Sequence, residues 1–355
     1  MFPQTETTRE DQQAKLVLWA TGCAAMRMAY YGIRLGLLNA LHQAPTGLTS
    51  DEVAEQLGLD PRYVTAWAKA GFAAGVLAYD AASCRFSPAP YMAELLLDEN
   101  SPHYMGGIPV SLAVESRLVD RVAQCMREGG GIPFAEYGQE MAEALAALSK
   151  PAYERWLPQV WLPGVEGLPE RLAGVGKVLE LGCGTGIGLV VLARGFPRCT
   201  VTGLDPDEAT VELVRQRIAE AGLEDRVFAE QMRSEELTAE GEFDLVYAQN
   251  SLHETEDPPL VVANAHRALT EGGVLLVIEV RGAARVEDAV GPVQALLTHM
   301  DLYYEIPQAL AKGGPGVGFF SLEQVTAMAR EAGFKEVREI PSDHPSFAAF
   351  YACRE

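Results

Sequence analysis

Basic residues are scarce in this chain: 28 Lys and Arg stand against 49 Asp and Glu, a net charge of −21 over 355 residues. Such a surface repels a polyanion at long range, and no basic patch interrupts the field, so nucleic acid is not the expected partner. Cysteine is sparse too. Cys23, Cys84, Cys125, Cys183, Cys199 and Cys353 are scattered without a C-x-x-C pair. That pattern excludes a zinc ribbon or a disulfide framework and points to reduced thiols in a cytoplasm. The N-terminal MFPQTETTRE lacks a basic segment followed by an apolar one, so no signal peptide is expected. The longest apolar stretch, LVLWATGCAAMRMAYYGIRLGLL, is broken by Arg27 and Arg34. It reads as packed helix or dimer interface rather than a membrane span. Internal repeats and low-complexity segments are also lacking.

What is present is globular: 48% of residues are hydrophobic and 22% charged, in a chain long enough for two domains. Apolar residues at helical spacing over 11–43 give one or two helices. Thr49 and Glu52 form a capping box that opens a short helix ended by Gly58; Asp60-Pro61 opens the next, ended by Gly75. VLAYDAASCRFSPA then reads as two short strands around a turn. Helix, turn, helix and β-wing together make a winged helix. The spacing divides the chain into 1–98, a helical and winged-helix domain; 99–170, a helical connector and cap broken by MGGIP, REGGGIP and VWLPGVEGLPE; and 171–355.

From Lys177 the pattern becomes strand–helix alternation. The strands KVLELG, CTVTGLD, RVFAEQ, FDLVYAQN and GVLLVIEV predict a parallel, doubly wound sheet. An insertion at 283–320 precedes a helix, SLEQVTAMAREAGF, and two last strands. A parallel sheet binds its ligand at the carboxyl ends of the strands, where the first turn meets a helix N-terminus. Here that turn is KVLELGCGTGIG. The dinucleotide spacing G-x-G-x-x-G fails because Ile187, Leu189 and Val191 stand where the last glycine would be. The P-loop fails as well, since no Gly-Lys-Ser/Thr follows.

What remains is E-x-G-x-G-x-G, with Glu180, Gly182, Gly184 and Gly186. This resembles motif I of the class I S-adenosylmethionine (SAM)-dependent methyltransferases. SAM carries an ammonium group and no phosphate, so an acid and bare glycine backbone suit it better than a basic cradle. The resemblance implies a seven-stranded Rossmann-like domain over 171–355 that binds SAM and releases S-adenosylhomocysteine. Glu180, Gly182, Cys183, Gly184 and Gly186 would hold the methionine end. Asp205, closing the second strand with Pro206 after it, would accept from the ribose hydroxyls. The family commonly places an acid on adenine after the third strand; Gln231 and Met232 stand there instead. Asn250 opens the stretch where substrate and adenosyl groups meet. That stretch, YAQNSLHETEDP, lacks the N/D-P-P-Y box of enzymes acting on base amino groups.

Within the family the chain resembles the small-molecule O-methyltransferases of the plant phenolic type, of a kind found in secondary metabolism. Their His-Asp pair and the acid on the next strand correspond to His253, Glu254 and Glu279. A phenol ionises near pH ~10, so a histidine that takes its proton raises its nucleophilicity, and a carboxylate fixes the imidazole tautomer. The family's second acid, in the loop before its penultimate helix, is missing: GGPGVGFFSLEQ carries Phe319 and Phe320 instead. With His299 and Tyr303 of the insertion, these two phenylalanines make a candidate acceptor pocket. No metal is needed for this reading. An alternative is a metal held by His253, Glu279 and His299, as resembles relatives that methylate α-keto acids at carbon.

In this family the winged helix mediates homodimerisation, and residues 16–41 fit that use. A rival reading is a SAM-sensing regulator that puts the winged helix on DNA. Its reading helix would be DPRYVTAWAKAGFAAG, which offers only Arg62 and Lys69, after a helix bearing Asp51, Glu52 and Glu55. The acceptor class expected is a small molecule, with neither nucleic acid nor membrane as partner.

Overall fold

The computed structural model describes residues 7–283, 285–344 and 346–355. The first six residues, part of the segment read for a signal peptide, lie outside them. The chain divides into two compact units, Met1–Arg117 with Tyr137–Pro151, and Leu118–Glu136 with Ala152–Glu355. The 99–170 stretch contributes to both.

The first unit begins with α1 (Arg9–Arg34), α2 (Leu37–Gln43), α3 (Ser50–Leu57) and α4 (Pro61–Ala73), followed by the hairpin β1 (Leu77–Asp80) and β2 (Arg85–Pro88). Helices α5 (Met92–Leu97) and α6 (Gly107–Glu115) follow. The capping box stands at the start of α3: Glu52 N donates to Thr49 Oγ1 at 3.2 Å, and Thr49 N donates to Glu52 Oε2 at 2.8 Å. Leu38, Leu41, Val53, Val64, Trp67 and Leu77 form one buried core, and Trp67 Nε1 donates to Met28 O at 2.9 Å. Leu48 makes an isolated antiparallel bridge to Phe86 beside the two-stranded wing. Each sequence signal here acts locally, so helix ends and wing fall where capping and turn chemistry put them.

Helix α7 (Val119–Glu128) belongs to the second unit, and α8 (Phe134–Pro151), interrupted at Gly138, runs across the division. A ten-residue π-helix, Ala152–Trp161, and α9 (Leu168–Ala173) lead into the sheet. The sheet then builds through β3 (Lys177–Leu181), α10 (Ile187–Gly195), β4 (Thr200–Asp205), α11 (Glu208–Glu220), β5 (Val227–Gln231), β6 (Phe243–Gln249), α12 (Pro258–Ala268) and β7 (Leu269–Val280). Helix α13 (Pro292–Met300), a π-helical turn (Asp301–Glu305), α14 (Ile306–Ala311) and α15 (Leu322–Glu331) precede β8 (Arg338–Ile340) and β9 (Phe347–Cys353).

The seven strands lie in the order β5-β4-β3-β6-β7-β9-β8, with β9 antiparallel to β7 and β8 and the rest parallel. Alternate side chains feed two cores. Val178, Val201, Leu245, Tyr247 and Leu276 pack under α10, α11 and the 152–161 π-helix, while Leu179, Leu204, Val246, Leu275 and Val277 pack with Val261, Ala265 and Val325. Burial on both faces explains why these strands read as unbroken apolar runs. The order reverses between β3 and β6, which leaves a crevice beyond their carboxyl ends.

Candidate active site

At the end of β3 the chain turns through Gly182, Gly184 and Gly186, all at positive φ. A Cβ at Gly182 would come within 2.6 Å of Ser251 Cβ, so only glycine lets the loop after β6 approach this closely. Ser251 Oγ donates to Leu181 O at 2.7 Å, and Asn250 N donates to Ile278 O at 2.8 Å. These two bonds lock the ends of β3, β6 and β7 together. The glycine turn and the segment bearing His253 are thus one structure.

Below the turn, Glu180 is fully buried and pairs in register with Tyr247 on β6. Both carboxyl oxygens lack a hydrogen-bond donor of good geometry, although the Tyr247 hydroxyl lies beside them. A Cβ at Gly188 would sit 2.1 Å from that hydroxyl and 2.6 Å from Glu180 Oε1, so the first turn of α10 rests directly on the pair. Burial pushes the Glu180 carboxyl up to about 8; the Tyr247 hydroxyl opposes this and Asp205 adds to it. Cys183 is buried at the same turn, donating its backbone N–H to Leu204 O.

Asp205, at the end of β4, accepts from Gly184 N at 3.0 Å and from Asp207 N at 3.1 Å. One backbone donor on each oxygen leaves lone pairs for a further partner. Pro206 is exposed and its carbonyl accepts from Gln231 Nε2; Gln231 is exposed, and Met232 is half-buried against the second core. Asn250 takes a left-handed backbone, φ 53°, with Oδ1 buried and unpartnered.

His253 sits in a short 3₁₀ turn, Leu252–Glu254, just after β6. Its side chain is entirely buried. Nδ1 meets Glu279 Oε2 at 2.6 Å and Nε2 meets Glu305 Oε2 at 2.9 Å. Phe319 and Phe320 stand edge-on to the ring, with centroids 5.1 Å and 6.4 Å away. Burial alone would depress the imidazole, but Glu279 and Glu305 outweigh it and hold His253 well above its ordinary value. Each ring nitrogen thus has a carboxyl partner. Burial pushes Glu305 up to about 7, against the pull of His253.

The sequence brought Glu279 to His253 and placed Phe319 and Phe320 beside it. It missed Glu305, which supplies the second acid from the insertion rather than from the loop where the phenolic family carries it. Glu254 does not orient the imidazole: its carboxylate pairs with Lys312. His299 stands apart from this cluster, half-buried, with its ring 4.6 Å from that of Tyr303. Among the described residues the donors close enough to share an ion are His253, Glu254 and Glu305, not His253, Glu279 and His299. Glu305 gave no sequence signal because a π-helical turn breaks the helical period that would have faced it inward. Tyr247 did give one, through its place on the strand beside Glu180.

Residues 178–273 match the family model described as Methyltransferase domain, and residues 23–97 match the Rv2258c-like winged HTH domain. The first match lies within the second unit and the second within the first. Within this domain the chain is similar to the ribosomal RNA small subunit methyltransferase C of Escherichia coli, 33% identical over 108 residues, 29% of this chain and 31% of that protein. The chain thus spans less than a third of the length of the curated relatives it matches. Similarity over the whole chain comes from solved structures. The mitomycin 7-O-methyltransferase MmcR is 17% identical with a TM-score of 0.75, covering 98% of this chain and 99% of that one. Human N-acetylserotonin methyltransferase, solved with SAM, is 18% identical with a TM-score of 0.72 over 98% and 99% of the two chains. At these identities the likeness is one of fold: a seven-stranded α/β domain preceded by a winged helix, as in those methyltransferases.

Proposed function

We propose that the chain is a SAM-dependent methyltransferase that methylates a hydroxyl of a small molecule. The observation that carries this reading is the junction of the glycine turn with the buried His253–Glu279 pair, held by Ser251 and Asn250 at the ends of three strands. The site fits the cofactor. Its orphaned buried acceptors, Glu180 and Asn250 Oδ1, together with Asp205, offer carboxylate and carbonyl oxygens to a cation. Glu180, Gly182, Cys183, Gly184 and Gly186 would hold the methionine end, Asp205 the ribose, and Pro206, Gln231, Met232 and Asn250 the adenosyl edge. SAM supplies a methyl group made electrophilic by its sulfonium. The protein's own task is to align the acceptor oxygen with that methyl and to take up its proton.

The buried cluster centred on His253, with Glu279 stabilising the charged imidazole, is the proposed proton sink; Tyr303, His299, Phe319 and Phe320 would border the acceptor. The edge-on phenylalanines favour a flat or apolar acceptor body. The metal-assisted alternative, transfer to carbon of an α-keto acid, would have to use the His253, Glu254 and Glu305 donors. For the whole protein we propose a cytoplasmic homodimer. Helix α1 leaves Leu16, Val17, Leu18 and Trp19 60–68% exposed, an apolar run that a second copy would cover. The DNA-binding rival gains little from the winged helix, where Arg62 is tied to Asp60 at 2.6 Å and Trp67 is committed to the core.

The test is transfer of label from methyl-labelled SAM into fractions of a source-cell extract, with and without a chelator. Label in a small-molecule fraction that survives chelation supports the metal-free hydroxyl reading. Label lost to the chelator and restored by a divalent metal replaces it with the metal-assisted one. In the same assay His253→Ala should lower the rate at least a hundredfold while a calorimetric titration finds SAM affinity unchanged. Loss of both together would make His253 structural.

A further inference from the structure

Resting on the methyl-transfer reading, we propose that Glu305, not His253, is the group that meets the acceptor, and that it takes the hydroxyl proton itself while the imidazole braces its other oxygen. His253 has no nitrogen to offer a ligand. Nδ1 is held by Glu279 at 2.6 Å, Nε2 by Glu305 at 2.9 Å, and Phe319 and Phe320 stand edge-on to the ring. A general base must come within hydrogen-bond reach of the proton it takes. In this arrangement the acceptor meets a carboxylate rather than a ring nitrogen.

Glu305 is built for that position. It uses Oε2 on His253, which leaves Oε1 for a second partner. It ends the π-helical turn that joins α13 to α14, and such turns recur at functional sites because they re-aim side chains. One turn further on, Gln308 is 1% exposed and its Nε2 has no hydrogen-bond partner. An amide donor three residues from a carboxylate on one helical face defines a pair of demands. The acceptor that answers both carries a hydroxyl beside a second oxygen that accepts a hydrogen bond, as in a catechol or a hydroxy-carbonyl compound. The charged groups that act on Glu305 are His253 and Glu254 on the turn after β6 and Glu279 on β7. Burial, with Glu254 and Glu279, disfavours its ionisation and His253 favours it, which keeps its proton exchangeable near neutrality.

In the step, the acceptor O–H bond breaks and its proton goes to Glu305 Oε1. The acceptor oxygen forms a bond to the methyl carbon, and the sulfur–methyl bond breaks with its electron pair left on sulfur. The proton gained stays on Glu305 until product leaves.

The experiment uses the full chain, labelled SAM and the extract fraction that takes up label. Glu305→Gln keeps the size and a hydrogen bond to Nε2 but cannot take a proton. Its rate at saturating SAM should fall at least a hundredfold with SAM affinity unchanged. Glu305→Asp should recover part of the rate and keep a rise in rate with pH that the Gln variant has lost. Gln308→Leu should raise the amount of fraction needed for half-maximal rate and change the maximal rate little. A Glu305→Gln rate within about threefold of wild type overturns the proposal. So does a loss that Glu305→Asp does not relieve, since that marks a structural role. If Glu305→Gln fails to bind SAM or to melt cooperatively, the Asp variant's pH profile decides alone. Wild-type protein that binds SAM and labels no fraction removes the methyl-transfer reading itself, a result distinct from a fast Gln variant.

Discussion

Asp205 tests the cofactor site most simply, because its two oxygens each hold a backbone N–H and keep capacity for more. Asp205→Ala should weaken SAM binding by about 1–3 kcal/mol, the cost of a lost buried acceptor; calorimetric affinity equal to wild type would remove it from the ribose site. Glu180 gives a pH prediction. Its folded value, about 8, lies above its ordinary 4.5 because burial favours the neutral acid. The stability this contributes is full below the ordinary carboxylate range and is lost as pH rises through about 8. Without SAM, the thermal midpoint of the wild type should therefore fall between pH 6 and 9. Glu180→Gln, which has no proton to lose, should flatten that fall; parallel curves would sink the assignment. These acids were legible in the sequence, since each closes a strand where the glycine pattern sets the register. Glu305 was not, being 52 residues from the histidine it touches.

At the scale of the element, the first turn of α10 is fixed by what lies under it. Gly188 has room for no side chain above Tyr247 and Glu180, so Gly188→Ala should destabilise the fold by about 1–3 kcal/mol and weaken SAM binding as the turn lifts. Denaturant midpoints and a SAM titration measure both; a neutral effect would mean that the Tyr247 hydroxyl has somewhere else to go. The helices and strands themselves were readable. Thr49 with Glu52, Gly58, Asp60-Pro61 and Gly75 mark ends by local capping chemistry, and the apolar strand runs mark a sheet covered on both faces. The π-helices at 152–161 and 301–305 were not, because no residue pattern along the chain marks the wider turn and only packing selects it.

For the whole molecule, the apolar run on α1 carries the prediction. Trp19→Glu together with Leu18→Glu should shift sedimentation from dimer to monomer and leave the core of the winged helix intact, since neither residue belongs to it. An unchanged oligomer would move the interface elsewhere. The net charge of −21 bears at the same scale: a mobility shift with DNA that weakens steeply with salt is the result expected of the regulator reading, and its absence at low salt would end that reading.

The sequence by itself determined the strand–helix alternation, the winged helix, the glycine turn and the acids at strand ends. All of these are local patterns, written in spacing, capping residues and the breaks between periodic runs. Tertiary structure alone decided which side chains meet at His253. It set Glu279 on one nitrogen, brought Glu305 from a π-helical turn to the other, sent Glu254 to Lys312 and left His299 outside. The physical reason is that charge pairing around a buried imidazole is a matter of distance in space, fixed by how helices pack beyond a sheet edge, and no periodicity along the chain encodes it.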